Sequence, residues 1–399
     1  MAIEMDKARD EMLRRGMRAA GVAALLGRYP EDLVMMAGTW PCLGMNLCLY
    51  PAEGQPVYYM SPNEPDDVCP PGFALRRFAI EPGKWSDLRS LLVADIAALG
   101  ISERDIGTAA DGGQHAVTSF SGETPLFGAG AMARLLEGLS VRDATALFQS
   151  AGLRKTPLEV ERIRRASTVA GVGLSVFHAE LRAGRSEAEI AALVEAAIQS
   201  HSGKDGCSLA HAWAQVQAGP NVLQGGTFSR SSAYRLVEGD LVLIELGTCV
   251  DGYWSDLTRT ACVGRIGERQ KELLTAVKGA QAAAIAAVKP GLTHEDIDRT
   301  ARDFLEAKGF GAGFTHNCGH HVGFRYHDRG PALQKGSLTP LEAGMVITVE
   351  PGSYGAAFGG GARFEDDVLV TRTEPDVLTG ALVKDGDAIE RFMAGSGVV

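Results

Sequence analysis

The chain has 399 residues, 45% hydrophobic and 22% charged, with a formal net charge of −10, and this length predicts two domains because single cores stop growing near roughly 250–300 residues. The acidic balance argues against nucleic acid or a membrane surface as partner, and no run of about 18 apolar residues predicts a membrane span. Seven scattered cysteines without a Cys-x-x-Cys pair, and an N-terminus without a signal-like apolar stretch, favour a reducing, cytoplasmic location.

Residues 1–150 alternate helical and strand-like segments. Residues 10–26 predict a helix, and the apolar runs 33–37, 47–50 and 57–60 predict strands. Proline and glycine cluster between these runs, as strand connections require. Because no catalytic constellation is visible, we interpret this part as an accessory domain of helices and sheet.

A second domain is predicted over residues 151–399. Its first helix should begin at Pro157, after a capping Thr156 and with Glu159 in the first turn. Apolar residues then recur at helical spacing along one face. They are Ile163, Ala166, Ala170, Leu174, Phe177 and Leu181.

An internal repeat organises this second domain. The pattern Gly-x-Ser-x-x-Glu at 184–189 returns as Gly-x-Thr-x-x-Asp at 291–296, and each predicts a capped helix. Apolar strands at 239–247 and 344–352 each carry a glutamate, Glu245 and Glu350, at the same place after a glycine. We expect two related α/β halves that face each other across a site.

Each half contributes two acids from neighbouring strand-like segments: Glu245 with Asp256, and Glu350 with Glu365. A carboxylate buried in an apolar strand is costly unless a positive group meets it. Two explanations remain open from the residues alone, namely buried salt bridges and a divalent metal ion.

The choice between these explanations depends on the local charge. Arg259 and Arg363 are the nearby arginines, so four acids leave excess negative charge that a divalent ion would balance. Four of the nine histidines also lie between residues 316 and 327, in a glycine-rich segment where a regular helix is not expected. This pattern favours a metal centre.

Four motifs carry a family resemblance. They are DGYWSDLTRT at 251–260, GHHVG at 319–323 with HD at 327–328, VEPG at 349–352 and RFED at 363–366. Together they resemble the pita-bread metallopeptidases, which include methionine aminopeptidase, prolidase, aminopeptidase P and creatinase, and are most similar to Xaa-Pro dipeptidases. The resemblance covers roughly residues 150–390. Residues 1–150 resemble the creatinase-type N-terminal domain more loosely.

The resemblance implies an α/β fold, with a pita-bread C-terminal domain of pseudo-twofold halves and a smaller α/β N-terminal domain. It also implies two divalent metal ions, which could be Mn, Co, Fe or Zn. Asp256 and Glu365 would bridge them, and the full ligand set would be Glu245, Asp256, His320, Glu350 and Glu365.

The implied function is hydrolysis of a peptide or amide C–N bond in an Xaa-Pro dipeptidase- or aminopeptidase-like enzyme. Metal-activated water would attack, Glu350 would act as general base, and His327 and His316 would be the catalytic histidines. We assign His321 and Arg363 to the substrate, a small peptide or amide. By analogy with prolidases, we expect a homodimer.

Three positions depart from the family pattern. Glu245 stands where the family usually has Asp, so the second metal site is expected to be weaker or absent. No histidine occurs at 223–229, around Thr227, where the peptidases place one that contacts substrate. His321 replaces the usual glycine after the ligand histidine.

Two alternative functions follow from these departures. One is a creatinase-like or lyase-type enzyme on a small non-peptide metabolite, using His327, His316 or His321 for proton transfer without a metal. The other is a non-catalytic binding protein on the same scaffold. Chelation distinguishes the first from a metallohydrolase, and a lack of turnover identifies the second.

Overall fold

The computed structural model describes residues 6–40, 46–79, 86–102, 105–109, 133–224 and 230–382. The chain divides into two compact units, Met1–Leu158 and Glu159–Val399. None of the helices among the described residues combines the length and the hydrophobicity that a bilayer crossing requires.

The first unit is built on a mixed six-stranded sheet with the strand order β4-β3-β2-β1-β5-β6. The strands are β1 (Ala24–Gly27), β2 (Leu47–Pro51), β3 (Val57–Met60), β4 (Ala74–Arg77), β5 (Ile106–Thr108) and β6 (Arg142–Asp143). The helices are α1 (Lys7–Ala20), α2 (Pro30–Ala37), α3 (Ser86–Ala98) and α4 (Thr145–Leu153). Apolar side chains from β1, β2, β3 and α3 form one core.

Two predictions for this unit were wrong. The first helix does not run to residue 26, because Gly21 ends it in the left-handed conformation and its N–H donates to carbonyls of the last turn. Residues 33–37 are helical instead of extended, because Pro30 begins α2 and an all-round apolar sequence suits a buried helix as well as a strand. The strands predicted at 47–50 and 57–60 are confirmed.

In its described residues, the second unit combines four α-helices with three small sheets. The helices are α5 (Pro157–Glu180), α6 (Glu187–Gln199), α7 (Glu268–Ala287) and α8 (His294–Ala307). One sheet has the order β7-β8-β9, formed by β7 (Ala210–Ala218), β8 (Leu241–Val250) and β9 (Tyr253–Cys262). The others are β10-β13-β14 and β11-β12, with β10 (Val346–Val349), β11 (Gly352–Gly355), β12 (Gly360–Arg363), β13 (Asp366–Leu369) and β14 (Asp376–Val377).

Helix α5 begins at Pro157, as its sequence predicts. Its predicted apolar face is buried in a core shared with β7, β8 and β9, where Phe177 and Ala170 are completely covered. The long helix therefore backs the sheet that carries two of the predicted acids.

The two copies of the sequence repeat, at 184–189 and 291–296, form the same set of hydrogen bonds in the structure. Ser186 and Thr293 cap α6 and α8, and each forms a capping box with an acid three residues later. The N–H groups of Gly184 and Gly291, which precede these caps, donate to the carbonyls of Leu236 and Leu341. Each of those segments leads into a strand, β8 or β10, so both halves join a capped helix to the segment before this strand in the same way.

Replacing Thr293 by alanine should destabilise the second unit by about 1 kcal/mol, since it removes the acceptor of the Asp296 N–H at the start of α8. Urea unfolding followed by circular dichroism measures the change. Thr275→Ala is the matched control, because Thr275 is exposed within α7 and bonds only the carbonyl four residues earlier. Equal losses in the two variants would contradict the capping role.

Candidate metal centre

Strands β8 and β9 bring two predicted ligands to one face of their sheet. In the register of this antiparallel pair, Glu245 lies opposite Thr258 and Gly247 lies opposite Asp256. Because side chains alternate along a strand, these four positions share a face. The strand expected at 239–247 begins at Leu241 and continues to Val250. The carboxylate therefore projects from the middle of a rigid strand.

Gly247 leaves room for an aromatic side chain over this face. A Cβ atom at Gly247 would lie 2.6 Å from the ring of Tyr326. The Tyr326 hydroxyl passes over the strand and donates to Oε1 of Glu245. A larger residue at 247 would displace the ring and this contact.

The second half supplies two acids and one histidine. Glu350 follows β10 directly, and Glu365 lies between β12 and β13. His320 is held beside β10, where its N–H donates to Thr348 Oγ1 at 3.1 Å and its carbonyl accepts from the Thr348 N–H at 2.8 Å. Gly319 permits this close approach, since a Cβ there would lie 2.1 Å from the Thr348 carbonyl oxygen.

The five predicted ligands meet in overlapping groups. In each group the possible ligand atoms lie within 4.8 Å of one another. The groups are Glu245, Asp256 and Glu365; His320, Glu350 and Glu365; and Asp256, His320 and His327. The structure therefore brings together carboxylates from both halves of the repeat with the imidazoles of His320 and His327.

Two of the buried acids, Asp256 and Glu365, have carboxylate oxygens without a hydrogen-bond partner among the described residues. Both carboxylate oxygens of Asp256, and Oε1 of Glu365, are buried and accept no hydrogen bond from the described residues. Burial, reinforced by the neighbouring carboxylates, raises the pKa of Asp256 and of Glu365 well above the ordinary values. Burial raises the pKa of Glu350 to about 8. Unpaired acids of this kind call for a cation.

The two nearby arginines differ in whether they form a salt bridge with one of the predicted ligands. Arg259 pairs with Asp366 at 3.0 Å, with both side chains fully buried, so its charge is used outside the cluster. Arg363 pairs with Glu245. Burial opposes ionisation of Glu245, but Arg363, with hydrogen bonds from Thr258 and Tyr326, brings its pKa below the ordinary value.

The ring of His320 presents its Nε2 atom to two of the acids. Its Nδ1 lies 3.0 Å from the His321 carbonyl oxygen, which can only accept, so Nδ1 carries the proton of the neutral ring. Nε2 then presents its lone pair 3.3 Å from Asp256 Oδ2 and 3.7 Å from Glu350 Oε1. A carbonyl that fixes the tautomer in this way is typical of metal-binding histidines.

The two histidines predicted as catalytic lie in different surroundings. The ring of His327 is centred 3.7 Å from that of His320 and stacks on Tyr326 at 4.8 Å. His316 Nε2 lies 3.1 Å from the Tyr354 hydroxyl, which in turn accepts from Arg363. Burial lowers the pKa of His316 to about 3, so the ring is neutral.

The residues predicted to contact substrate are also engaged within the protein. His321 Nε2 lies 2.9 Å from His294 Nε2, and His294 Nδ1 donates to the Thr339 carbonyl. Arg363 is 8% exposed beside Glu245. The substrate roles of His321 and Arg363 stay predictions, and residues 225–229, which include Thr227, lie outside the described part of the chain.

Sequence reasoning assigned no role to two residues that touch the acids. Thr258 Oγ1 lies within hydrogen-bond distance of Glu245 and of Glu365 Oε2. Its position two residues after Asp256 on a strand was a usable signal, since both must face the same way. Tyr326 comes from a loop, and no local pattern predicts where its hydroxyl points.

The model of metallopeptidase family M24 matches residues 161–372, which is more than half of the chain. The chain belongs to this family. The matched M24 segment contains all five predicted ligands.

Curated relatives and solved structures agree with the M24 assignment. The Xaa-Pro dipeptidase of Pyrococcus furiosus is 36% identical over 230 residues, 56% of this chain and 62% of that protein. The Xaa-Pro dipeptidase of Lactobacillus helveticus is 34% identical over 233 residues, 58% of this chain and 61% of that protein. These matches span less than two thirds of the relatives' own length.

The fold likeness extends over nearly the whole M24 protein. The Xaa-Pro dipeptidase structure from Bacillus anthracis superposes with a TM-score of 0.77 at 24% identity, covering 95% of this chain and 98% of that one. The prolidase structure from Pyrococcus furiosus gives 0.71 at 25% identity, covering 92% and 98%. The predicted pita-bread α/β fold is confirmed.

Metal binding by this M24 protein should release protons. Without metal, Glu350 holds a proton near neutral pH because burial raises its pKa to about 8, and metal ligands must be deprotonated. Affinity should therefore fall as the pH drops below about 8. Calorimetric titration with Mn²⁺ at neutral pH, in two buffers of different ionisation enthalpy, measures the release. Identical apparent enthalpies in both buffers would contradict it.

Proposed function

We propose that this protein is a metal-dependent hydrolase of a peptide or amide C–N bond, with Xaa-Pro peptides as its substrate class. The observation that carries the proposal is the set of buried carboxylate oxygens without hydrogen-bond donors around the Nε2 atom of His320. The names of the P. furiosus and L. helveticus relatives support the choice of an Xaa-Pro substrate.

The chemistry of the donors fits a divalent transition metal. Asp256, Glu350 and Glu365 supply oxygens and His320 supplies one imidazole nitrogen, a set that suits Mn, Co, Fe or Zn. A metal bound there would act as a Lewis acid on the scissile carbonyl and would lower the pKa of a water molecule. Glu245 borders the same cluster.

Glu350 is the carboxylate best placed to move a proton. Asp256 and Glu365 are completely buried, whereas Glu350 and Glu245 keep 8% and 6% exposure. Glu245 is engaged by Arg363 and Tyr326, so Glu350 is the acid that can accept a proton from water and pass it to the leaving nitrogen.

We assign the remaining predicted roles by their position. His327 lies against His320 and is suited to donate a hydrogen bond to the developing oxyanion. His316 is kept neutral, and its contact with Tyr354 supports a role in orienting Arg363. The metal-free alternatives are disfavoured because they leave both oxygens of Asp256, and Oε1 of Glu365, buried without a hydrogen-bond partner among the described residues.

The wider organisation is also a proposal. We infer an accessory domain over residues 1–150 and a catalytic domain over 151–399. We also infer a homodimer, on the family resemblance, and a cytoplasmic location, on the scattered cysteines.

Glu350→Gln should lower kcat for an Xaa-Pro dipeptide by about 10²–10⁴-fold, because an amide cannot accept the proton from water. Steady-state kinetics on protein loaded with Mn²⁺ measures the loss. Glu272→Gln makes the same chemical change on the exposed surface of α7 and should leave kcat unchanged.

Two further experiments, metal chelation and a comparison of dipeptide substrates, test which reaction is catalysed. Exhaustive chelation should abolish turnover, and an Xaa-Ala dipeptide should be cleaved more slowly than the matched Xaa-Pro dipeptide. Full activity of Glu350→Gln, or turnover that survives chelation, would refute the proposed mechanism.

A further inference from the structure

The acids of the cluster differ in how many hydrogen bonds they already accept. An ionised carboxylate offers about four lone-pair positions. Glu245 accepts from Tyr326 on Oε1, and from Arg363 and Thr258 on Oε2. Asp256 accepts none from the described residues, although it is completely buried. The need for a cation is therefore concentrated at Asp256 and its neighbour Glu365.

Arg363 already supplies a positive charge beside Glu245. All three guanidinium nitrogens are engaged: Nη2 with Glu245, Nε with Thr258 Oγ1 at 2.9 Å and Nη1 with the Tyr354 hydroxyl at 3.1 Å. A guanidinium stays ionised under all ordinary conditions, so it repels any metal ion that approaches Glu245. Its three anchors prevent it from yielding by a simple rotation.

Tyr326 is fixed just as firmly. Its ring packs edge-on against Trp213 and Trp254, with centroids 5.6 and 6.0 Å away, and stacks on His327 at 4.8 Å. The hydroxyl is thereby held on Glu245 Oε1, the oxygen that Arg363 does not reach. Both oxygens of Glu245 are covered by groups that cannot easily move.

We propose that the centre binds one divalent metal ion tightly, on Asp256, His320, Glu350 and Glu365. Arg363 and the Tyr326 hydroxyl occupy the positions around Glu245 that a second ion would need. The inference rests on the proposed function and departs from the two-ion centre that the family resemblance implies. Glu245 then serves to anchor Arg363 next to Glu350, whose Oε2 lies 3.9 Å from the Arg363 Nε.

The test is the number of metal ions per chain. Protein stripped of metal is titrated with Mn²⁺, desalted and analysed by mass spectrometry, and its Mn²⁺ electron paramagnetic resonance spectrum is recorded. We expect one ion and the spectrum of an isolated Mn²⁺. Two tightly bound ions with a spin-coupled spectrum would overturn the inference and leave the hydrolase proposal intact. No bound ion would refute both.

Variants test the role of the covering groups. Tyr326→Phe keeps the ring packing and uncovers Glu245 Oε1. It should tighten binding of a second Mn²⁺ about tenfold or more, because the ion then need not break a hydrogen bond to this carboxylate. Tyr253 lies on β9, and its hydroxyl accepts from Arg162 of α5. Tyr253→Phe removes this other buried hydroxyl and should leave the binding of a second Mn²⁺ unchanged.

Arg363→Met should tighten the second site further, and circular dichroism verifies that each variant is folded. If this variant does not fold, Tyr326→Phe carries the test alone. A second site no tighter in Tyr326→Phe than in the parent would contradict the assignment.

Discussion

The structure of the second unit depends on a concentration of negative charge inside the protein. Four carboxylates converge from two related halves, and Arg363 forms a close ion pair with one of them, Glu245. Taking such groups out of water without a partner is among the most costly events in folding. A divalent cation among the carboxylates would offset the free-energy cost of burying them. The surrounding side chains and strands hold the carboxylates close enough together to bind such an ion.

The surrounding strands and their hydrogen bonds keep the acids close to one another. The β8–β9 register sets Glu245 and Asp256 on one face. The Thr260 hydroxyl on β9 donates to the Arg363 carbonyl and accepts from the Arg363 N–H. Arg259 and Asp366 form a second buried pair beneath the cluster. Because these supports are rigid strands, the donors are positioned before any ion arrives.

Much of this centre could be predicted from the sequence, because patterns among residues close together in the chain indicated its strands, its helix starts and its histidine segment. Apolar strands with a single acid, capping boxes at matching places and a glycine-rich histidine segment all depend on neighbours along the chain. The fold of the first unit was harder. The run at 33–37 suits a buried helix or a strand equally, and the left-handed Gly21 separates a helix from β1 within a few residues.

The pairing of side chains from distant segments could not be predicted. Both arginines were candidate partners for the acids, yet Arg259 turns to Asp366 and Arg363 to Glu245. Tyr326 reaches Glu245 across 81 positions of the chain, and such a contact is set by tertiary packing. These unpredicted contacts separate Glu245 from the other acids.

The most direct measurement is a crystal structure of Mn²⁺-loaded protein with data collected at the manganese absorption edge. Coordination of a divalent cation predicts an anomalous peak about 2.0–2.3 Å from oxygens of Asp256 and Glu365 and from His320 Nε2. The contrary result would be an absence of any peak, with the buried carboxyl groups protonated and hydrogen-bonded to one another.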